Sequence, residues 1–152
     1  MRLQPLSWLK GWYRNMKRIL VIDGQGGKVG KLLIEEIKKM TPNAEIVAVG
    51  TNSTATENML KACPKCAATG ENAVIVACRT ASCIVGPVGI AIADSLFGEV
   101  TPDMAKAVGQ ANAEKILIPM NRCSIQVVGT AKAGVGELAR LAAERAAALS
   151  ND

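Results

Sequence analysis

One segment near the start of the chain limits the range of folds more than any other. Residues 19–22 form an uninterrupted apolar run, which is typical of a strand buried on both faces of a sheet. A glycine-rich loop, residues 23–30, follows at once, and apolar side chains then recur at helical spacing as far as Met40. Residues 45–50 supply a second strand close behind this helix. This order predicts a right-handed βαβ unit and therefore a parallel sheet.

The rest of the chain continues the same alternation of short apolar runs and longer amphipathic stretches. Further strands are predicted at residues 83–86, 115–119 and 124–128. Further helices are predicted at residues 88–97, from Thr101 onward and at residues 135–149. Alternating elements of this kind indicate an α/β fold.

Residues 71–79 admit two interpretations. Within them, residues 73–77 have strand propensity, and a strand there would form a hairpin with the strand at 83–86. Too few residues separate the two for a parallel crossover, so we favour a helix from Glu71 to Arg79. The predicted fold is a three-layer Rossmann-like domain over residues 16–152, with a mainly parallel sheet of four to five strands and helices on both faces. Residues 1–15 are expected to be a disordered extension.

Composition excludes several classes of function. The chain of 152 residues contains no histidine, which rules out imidazole general bases and the catalytic pairs built on them. Its 18 Lys and Arg against 13 Asp and Glu give +5, but three of the basic residues precede residue 16, and the remaining 15 against 13 give +2. Phe97 is the single aromatic residue after residue 15. A nearly neutral surface with so few rings argues against nucleic-acid binding.

The cysteines and the first residues indicate a cellular compartment. The chain has five cysteines, an odd number, and its opening residues lack the apolar run of an export signal or a membrane span. Thiols normally stay reduced in the cytosol. We therefore expect a cytoplasmic protein with no membrane partner.

The loop after the first strand is the leading candidate for a binding site. Glycines allow backbone N–H groups to approach an anion at the start of the following helix. The spacing departs from the dinucleotide-binding fingerprint, because Val29 stands where the last glycine is expected. The alternative is that the glycines only permit a sharp turn. The candidate contacts in this loop are Gly24, Gln25, Gly26, Gly27 and Gly30, and we expect Gly27→Asp to abolish ligand protection without changing the fold.

Loops after the other strands are expected to frame the same rim. The second strand ends in Thr51, Asn52 and Ser53, where a domain that prefers NAD usually has an acid. Hydroxyl and amide groups there suit a phosphate, such as that of NADP, and an N-cap formed by Ser53 or Thr54 explains them equally well. Gly86 stands at the end of the third predicted strand, and Asn121 and Arg122 follow the fourth. Arg122 offers a guanidinium fork for a carboxylate or phosphate.

The cysteines and carboxylates offer weaker chemistry. Cys63 and Cys66 form a C-x-x-C pair beside Lys65 that would suit a thiol or metal sensor, whereas Cys78 and Cys83 are expected in the interior, so no metal site is predicted. Asp23 and Asp94 are the acids expected near the pocket, and capping or turn formation is favoured for both. No catalytic residue is predicted.

Several longer motifs resemble those of a known family. The segments VIDGQGGKVGK, AVGTNSTATENMLK, ATGENA, IVGPVGIAIADSLFGEVTPDMA and KILIPMNRC are similar to those of the small bacterial proteins grouped as domain of unknown function 3842. The similarity runs from Met16 to about Gly129. It implies a common sheet and rim but no catalytic residue, and the C-x-x-C pair lies outside the pattern.

These observations lead to one main expectation and two alternatives. The main expectation is a cytoplasmic protein that binds a phosphate-bearing small molecule or nucleotide at the rim of the sheet, with NADP among the candidates. One alternative is a non-catalytic interaction module, in which the alanine-rich helices at 88–97 and 135–149 pair across a twofold axis in a homodimer. The other is the thiol or metal sensor. The sequence does not establish whether the protein is an enzyme.

Overall fold

A parallel sheet forms the centre of the molecule. The computed structural model describes residues 17–120, 124–130 and 132–150. Within them, five strands follow the order β3-β2-β1-β4-β5, and every neighbouring pair is parallel. The strands are β1 (Arg18–Asp23), β2 (Glu45–Gly50), β3 (Cys66–Thr69), β4 (Cys83–Pro87) and β5 (Glu114–Ile118). The predicted fold class is therefore confirmed.

Helices cover both faces of this sheet. They are α1 (Lys28–Met40), α2 (Ser53–Leu60), α3 (Glu71–Cys78), α4 (Pro102–Gln110) and α5 (Val135–Ser150), with a 3₁₀ turn at Val88–Ala91. Ile19 and Val21 pack in one core with α1, α2 and α5, whereas Leu20 and Ile22 pack in the other with α3 and α4. Because both faces of β1 are covered, its sequence is continuously apolar instead of alternating.

Two of the predicted elements differ in the structure. Residues 124–128 contain no strand, and the fifth strand is β3 instead. β3 is a short edge strand with largely exposed side chains, so the sequence there has no apolar run to reveal it. The helix predicted at 88–97 is limited to the 3₁₀ turn, because Asp94, Leu96 and Phe97 all have positive φ angles that a helix cannot contain.

Other predicted elements are confirmed. Residues 71–78 form α3 and not a hairpin strand. Thr101 caps α4 by accepting a hydrogen bond from the Met104 amide, with Pro102 at the first helical position. In the described part of the chain, no helix has both the length and the hydropathy needed to cross a membrane. The expectation for residues 1–15 concerns a segment outside the described residues.

The strand order places a crevice at the carboxyl ends of the strands, between β1 and β4. β1 has β2 on one side and β4 on the other, so the connections after β1 and β4 leave toward opposite faces. In open α/β sheets, ligands bind beyond the carboxyl ends of the strands at such a reversal. The loops after Asp23 and Pro87 therefore bound the candidate site.

Candidate functional site

A cavity of about 340 Å³ opens at the carboxyl ends of β1 and β4. One wall is the glycine loop, residues 23–29, and the opposite wall comes from the segment after β4. The side chains and backbone of that second wall belong to Pro87, Gly89, Ser95 and Leu96, and Met120 and Ile125 complete the lining. The cavity therefore lies at the strand-order reversal.

Three of the loop glycines are required by packing. A Cβ on Gly27 would lie 2.4 Å from the carbonyl oxygen of Ala55, and its φ of +68° is itself unfavourable for other residues. A Cβ on Gly30 would lie 2.5 Å from Met59 Sδ, which brings α1 close to α2. Gly24 is equally enclosed. Gly27 therefore supports the turn before α1, and Gly24 and Gly30 allow close packing. Gly27→Asp would disturb the fold instead of testing binding.

Gly26 differs from the other loop glycines. It is exposed, a Cβ there would have no neighbour within 4 Å, and its φ lies outside the left-handed region. Within the ranges that the structure describes, the backbone N–H groups of Gly26 and Lys28 have no hydrogen-bond acceptor. Lys28 is itself exposed and is among the residues that line the cavity. Sequence reasoning missed Lys28, although its place at the first turn of α1 was readable.

Asp23 lies at the floor of the cavity and is buried. Its Oδ1 accepts a hydrogen bond from the Gly24 amide at 2.8 Å, and its Oδ2 accepts one from the Gly30 amide at 2.7 Å. Burial raises the pKa of this carboxyl to about 6, against the lowering effect of those amides, and the charge of Glu99 adds to the rise. Asp23 therefore closes the loop and titrates in the physiological range.

Glu99 is the residue of this region that sequence reasoning missed entirely. Its Oε2 accepts hydrogen bonds from the Gln25 amide at 2.8 Å, from Thr51 Oγ1 at 2.6 Å and from Asn52 Nδ2 at 3.0 Å. Its Oε1 accepts one from Gln25 Nε2 at 3.1 Å. Although burial alone would raise the pKa of this carboxyl, these donors together hold it below its usual value. No local pattern near Glu99 signals a contact with residues so far back in the chain.

The polar residues after β2 are consequently already engaged. Besides contacting Glu99, Asn52 donates a hydrogen bond to the Gln25 carbonyl at 3.0 Å. Its Oδ1 accepts one from the Ala55 amide, so Asn52 is the N-cap of α2. Ser53 is the first residue of that helix and is exposed. A helix cap is therefore present, but Asn52 supplies it instead of Ser53 or Thr54, which lie inside the first turn of α2.

The remaining predicted contacts are placed less directly. Gly86 is buried inside β4, and a Cβ there would lie 2.4 Å from the Ile22 carbonyl oxygen, so its backbone packs against β1. Asn121 and Arg122 lie outside the described residues. Their role at the rim stays a prediction.

The cysteines fall into two groups. Cys63 and Cys66 are exposed, whereas Cys78 and Cys83 are buried, as predicted. Burial raises the pKa of Cys78 to about 11 and that of Cys83 to about 12. Among the residues that the structure covers, no group of three or more Cys, Asp or Glu is arranged to hold a metal ion.

Comparison with known proteins identifies the family. The model of the family described as "Domain of unknown function (DUF3842)" matches residues 18–151. The chain belongs to this family. No curated protein matches this DUF3842 chain. One solved structure similar to it is a dodecameric FMN-dependent UbiX-like decarboxylase from Escherichia coli O157:H7, with 18% identity and a TM-score of 0.44 over 86% of this chain and 75% of that one. The site of the DUF3842 chain is therefore interpreted from its own residues.

Proposed function

We propose that this DUF3842 protein binds a phosphate-bearing small molecule, such as a nucleotide, in the cavity between β1 and β4. The observation that carries the proposal is the pair of unpaired N–H groups on Gly26 and Lys28 in the described loop, beside a cavity at the start of α1. Backbone N–H groups at a helix N-terminus favour negative charge. Lys28 carries a positive charge and lines the same cavity. The proposal concerns binding and includes no reaction.

The shape of the cavity also supports a small molecule. Its volume of about 340 Å³ falls near the lower end of the range for ligand sites, which is roughly 300–1,000 Å³. Its lining combines the polar glycine loop with apolar groups from Pro87, Leu96 and Ile125. A ligand with an anionic end and a less polar body matches this lining.

The contacts favour a different phosphate position from the one expected after β2. Thr51 and Asn52 already bind the Glu99 carboxylate, so a phosphate there would meet a negative charge. The proposed phosphate position is therefore the Gly26–Lys28 end of the loop. Arg122 remains a predicted additional contact outside the described residues.

The two alternative functions find less support. The alanine-rich face of α5, with Ala139, Ala143 and Ala146, is buried in the core that also contains α1, so it is not available for a twofold contact. The other helix expected to pair is absent, because residues 92–97 are not helical. The sensor alternative would rest on Cys63 and Cys66 alone.

Gly26→Asp and Gly26→Ala form a matched pair that tests the proposal. A Cβ at this position meets no atom within 4 Å, so both substitutions are expected to fit, but the aspartate adds a negative charge near the proposed phosphate. We expect Gly26→Asp to weaken binding of inorganic phosphate and of AMP at least about tenfold, and Gly26→Ala to leave both nearly unchanged. Titration calorimetry at constant ionic strength measures both affinities.

Thermal unfolding provides a second readout. A ligand at a hundred times its Kd stabilises the folded state by about 2.7 kcal/mol, which raises the Tm of the wild-type protein. Sodium chloride at equal ionic strength is the control. If neither phosphate nor AMP binds the wild-type protein at millimolar concentration, or if Gly26→Asp binds them as well as Gly26→Ala does, the proposal is wrong.

A further inference from the structure

The surroundings of Glu99 limit the size of the ligand. A carboxylate has about four lone-pair sites. Gln25, Thr51 and Asn52 donate four hydrogen bonds to Glu99 between 2.6 and 3.1 Å, three of them to Oε2 and one to Oε1. Oε2 is therefore fully engaged and Oε1 has one acceptor position left, which is fewer than the two that a ribose diol needs. Its carboxylate is bonded to the protein itself.

Glu99 also occupies a specific part of the crevice. In a dinucleotide-binding domain with this strand order, the ligand extends across the ends of β1 and its neighbours. Glu99 bridges the ends of β1 and β2, since it contacts Gln25 after one strand and Thr51 after the other. A Cβ on Gly24 would lie only 2.7 Å from Glu99 Oε2, so the carboxylate is packed onto the loop. The part of the crevice above β2 is therefore filled.

A compact turn holds Glu99 in this position. The Glu99 amide donates to the Leu96 carbonyl at 3.2 Å, and the Val100 amide donates to the Ser95 carbonyl at 3.2 Å. The Asp94 amide donates to the Val100 carbonyl at 2.7 Å, and the Ser95 hydroxyl donates to the Gly89 carbonyl. Leu96 of the same turn lines the open cavity. The same turn therefore positions Glu99 at the end of β2 and Leu96 at the wall of the cavity between β1 and β4.

We infer that Glu99 restricts the site to ligands of mononucleotide size and excludes dinucleotides. The inference rests on the proposed function, because it concerns the same cavity. A molecule with one phosphate end fits the space between β1 and β4. The second nucleotide of NAD or NADP would have to displace Glu99 and break its hydrogen bonds to the protein.

Calorimetry with AMP and NAD+ tests this inference, because NAD+ contains the AMP group. The measured quantity is the ratio of the NAD+ Kd to the AMP Kd, which does not depend on the folded fraction of the sample. We expect a ratio of at least about ten in the wild-type protein and a fall of about tenfold or more in Glu99→Ala. Glu57→Ala, a change of an exposed residue on α2, is the matched control and should keep the wild-type ratio.

Glu99→Gln serves if Glu99→Ala does not fold. The glutamine side chain has one acceptor oxygen, and its NH₂ group would face donors that it cannot bind. The ratio of the NAD+ Kd to the AMP Kd should therefore still fall by about threefold or more. An unchanged ratio in the folded variant, or equal binding of AMP and NAD+ by the wild-type protein, overturns the inference while the proposed function stands. Binding of inorganic phosphate but neither nucleotide also overturns only the inference. Absence of phosphate and AMP binding overturns both.

Discussion

At the scale of single residues, the position of Asp23 determines both the shape of a loop and the pKa of a carboxyl. It accepts hydrogen bonds from Gly24 and Gly30, and so fixes the loop between β1 and α1. The same position removes it from water, which raises its pKa to about 6. The sequence predicted the capping role because an acid follows the strand directly. The raised pKa depends on burial that only the packed molecule provides.

The raised pKa of Asp23 predicts a specific pH dependence of stability. Because the folded pKa lies above the ordinary 3.8, the folded state binds the proton more tightly than the unfolded state. This contribution is fully present below about pH 4 and is lost as the pH rises through about 6. Relative to Asp23→Asn, the wild-type protein should lose up to about 3 kcal/mol over this range. Urea denaturation of both proteins between pH 4 and 8 measures the difference.

The comparison with Asp23→Asn removes most other titrations. Glu45 and Glu99 have lowered pKa values and act in the opposite direction, but both remain in the variant. Parallel pH profiles for the two proteins would contradict the assigned pKa of Asp23.

At the scale of elements, the sequence succeeded where burial imposes a pattern. The amphipathic α1 was predicted because Leu33, Ile34 and Ile37 must face the core. β3 was missed because an exposed edge strand places no such demand on its residues. The apolar segment 88–97 was predicted as a helix, but its residues fold into turns that form one wall of the cavity. In this segment the apolar residues indicate burial, but they do not indicate a helix.

The left-handed conformation of Phe97 predicts a stabilising substitution. Phe97 has a φ of 57° and its side chain is 89% exposed, so it incurs backbone strain and gains almost no burial. Asparagine tolerates this conformation far better. We expect Phe97→Asn to raise the free energy of unfolding by about 0.5–1 kcal/mol in urea denaturation. Phe97→Ala removes the ring but does not tolerate the left-handed conformation as asparagine does, so it should raise the free energy of unfolding less. If Phe97→Asn is no more stable than Phe97→Ala, the argument is wrong.

At the scale of the whole molecule, the two helical layers decide which groups meet solvent. Cys78 on α3 and Cys83 on β4 are enclosed between the sheet and a helical layer, whereas Cys63 and Cys66 stand near the edge at β3. The sequence predicted that Cys78 and Cys83 lie in the interior. Which thiols are exposed follows from the position of β3 at the edge of the sheet.

The layers predict two classes of thiol reactivity. In a Cys123→Ser background, which removes the cysteine outside the described residues, an aromatic disulfide reagent should modify Cys63 and Cys66 rapidly at neutral pH. Burial and the raised pKa values of about 11 and about 12 should keep Cys78 and Cys83 unreactive until the chain unfolds. Absorbance of the released thiol should report two groups in buffer and four in denaturant. Release of all four in buffer would contradict the burial described here.

The sequence by itself determined the βαβ alternation, the glycine loop and the strand ends as the place to look for a site. Local hydrophobic periodicity and glycine spacing encode these features directly. Only the tertiary structure decided which glycines are closely packed, that Gly26 is open, and that Glu99 binds the residues that follow β1 and β2. Glu99 lies 48 residues after Thr51. The carboxylate and its donors meet because β4 inserts beside β1, and such pairing of distant segments leaves no local pattern in the chain.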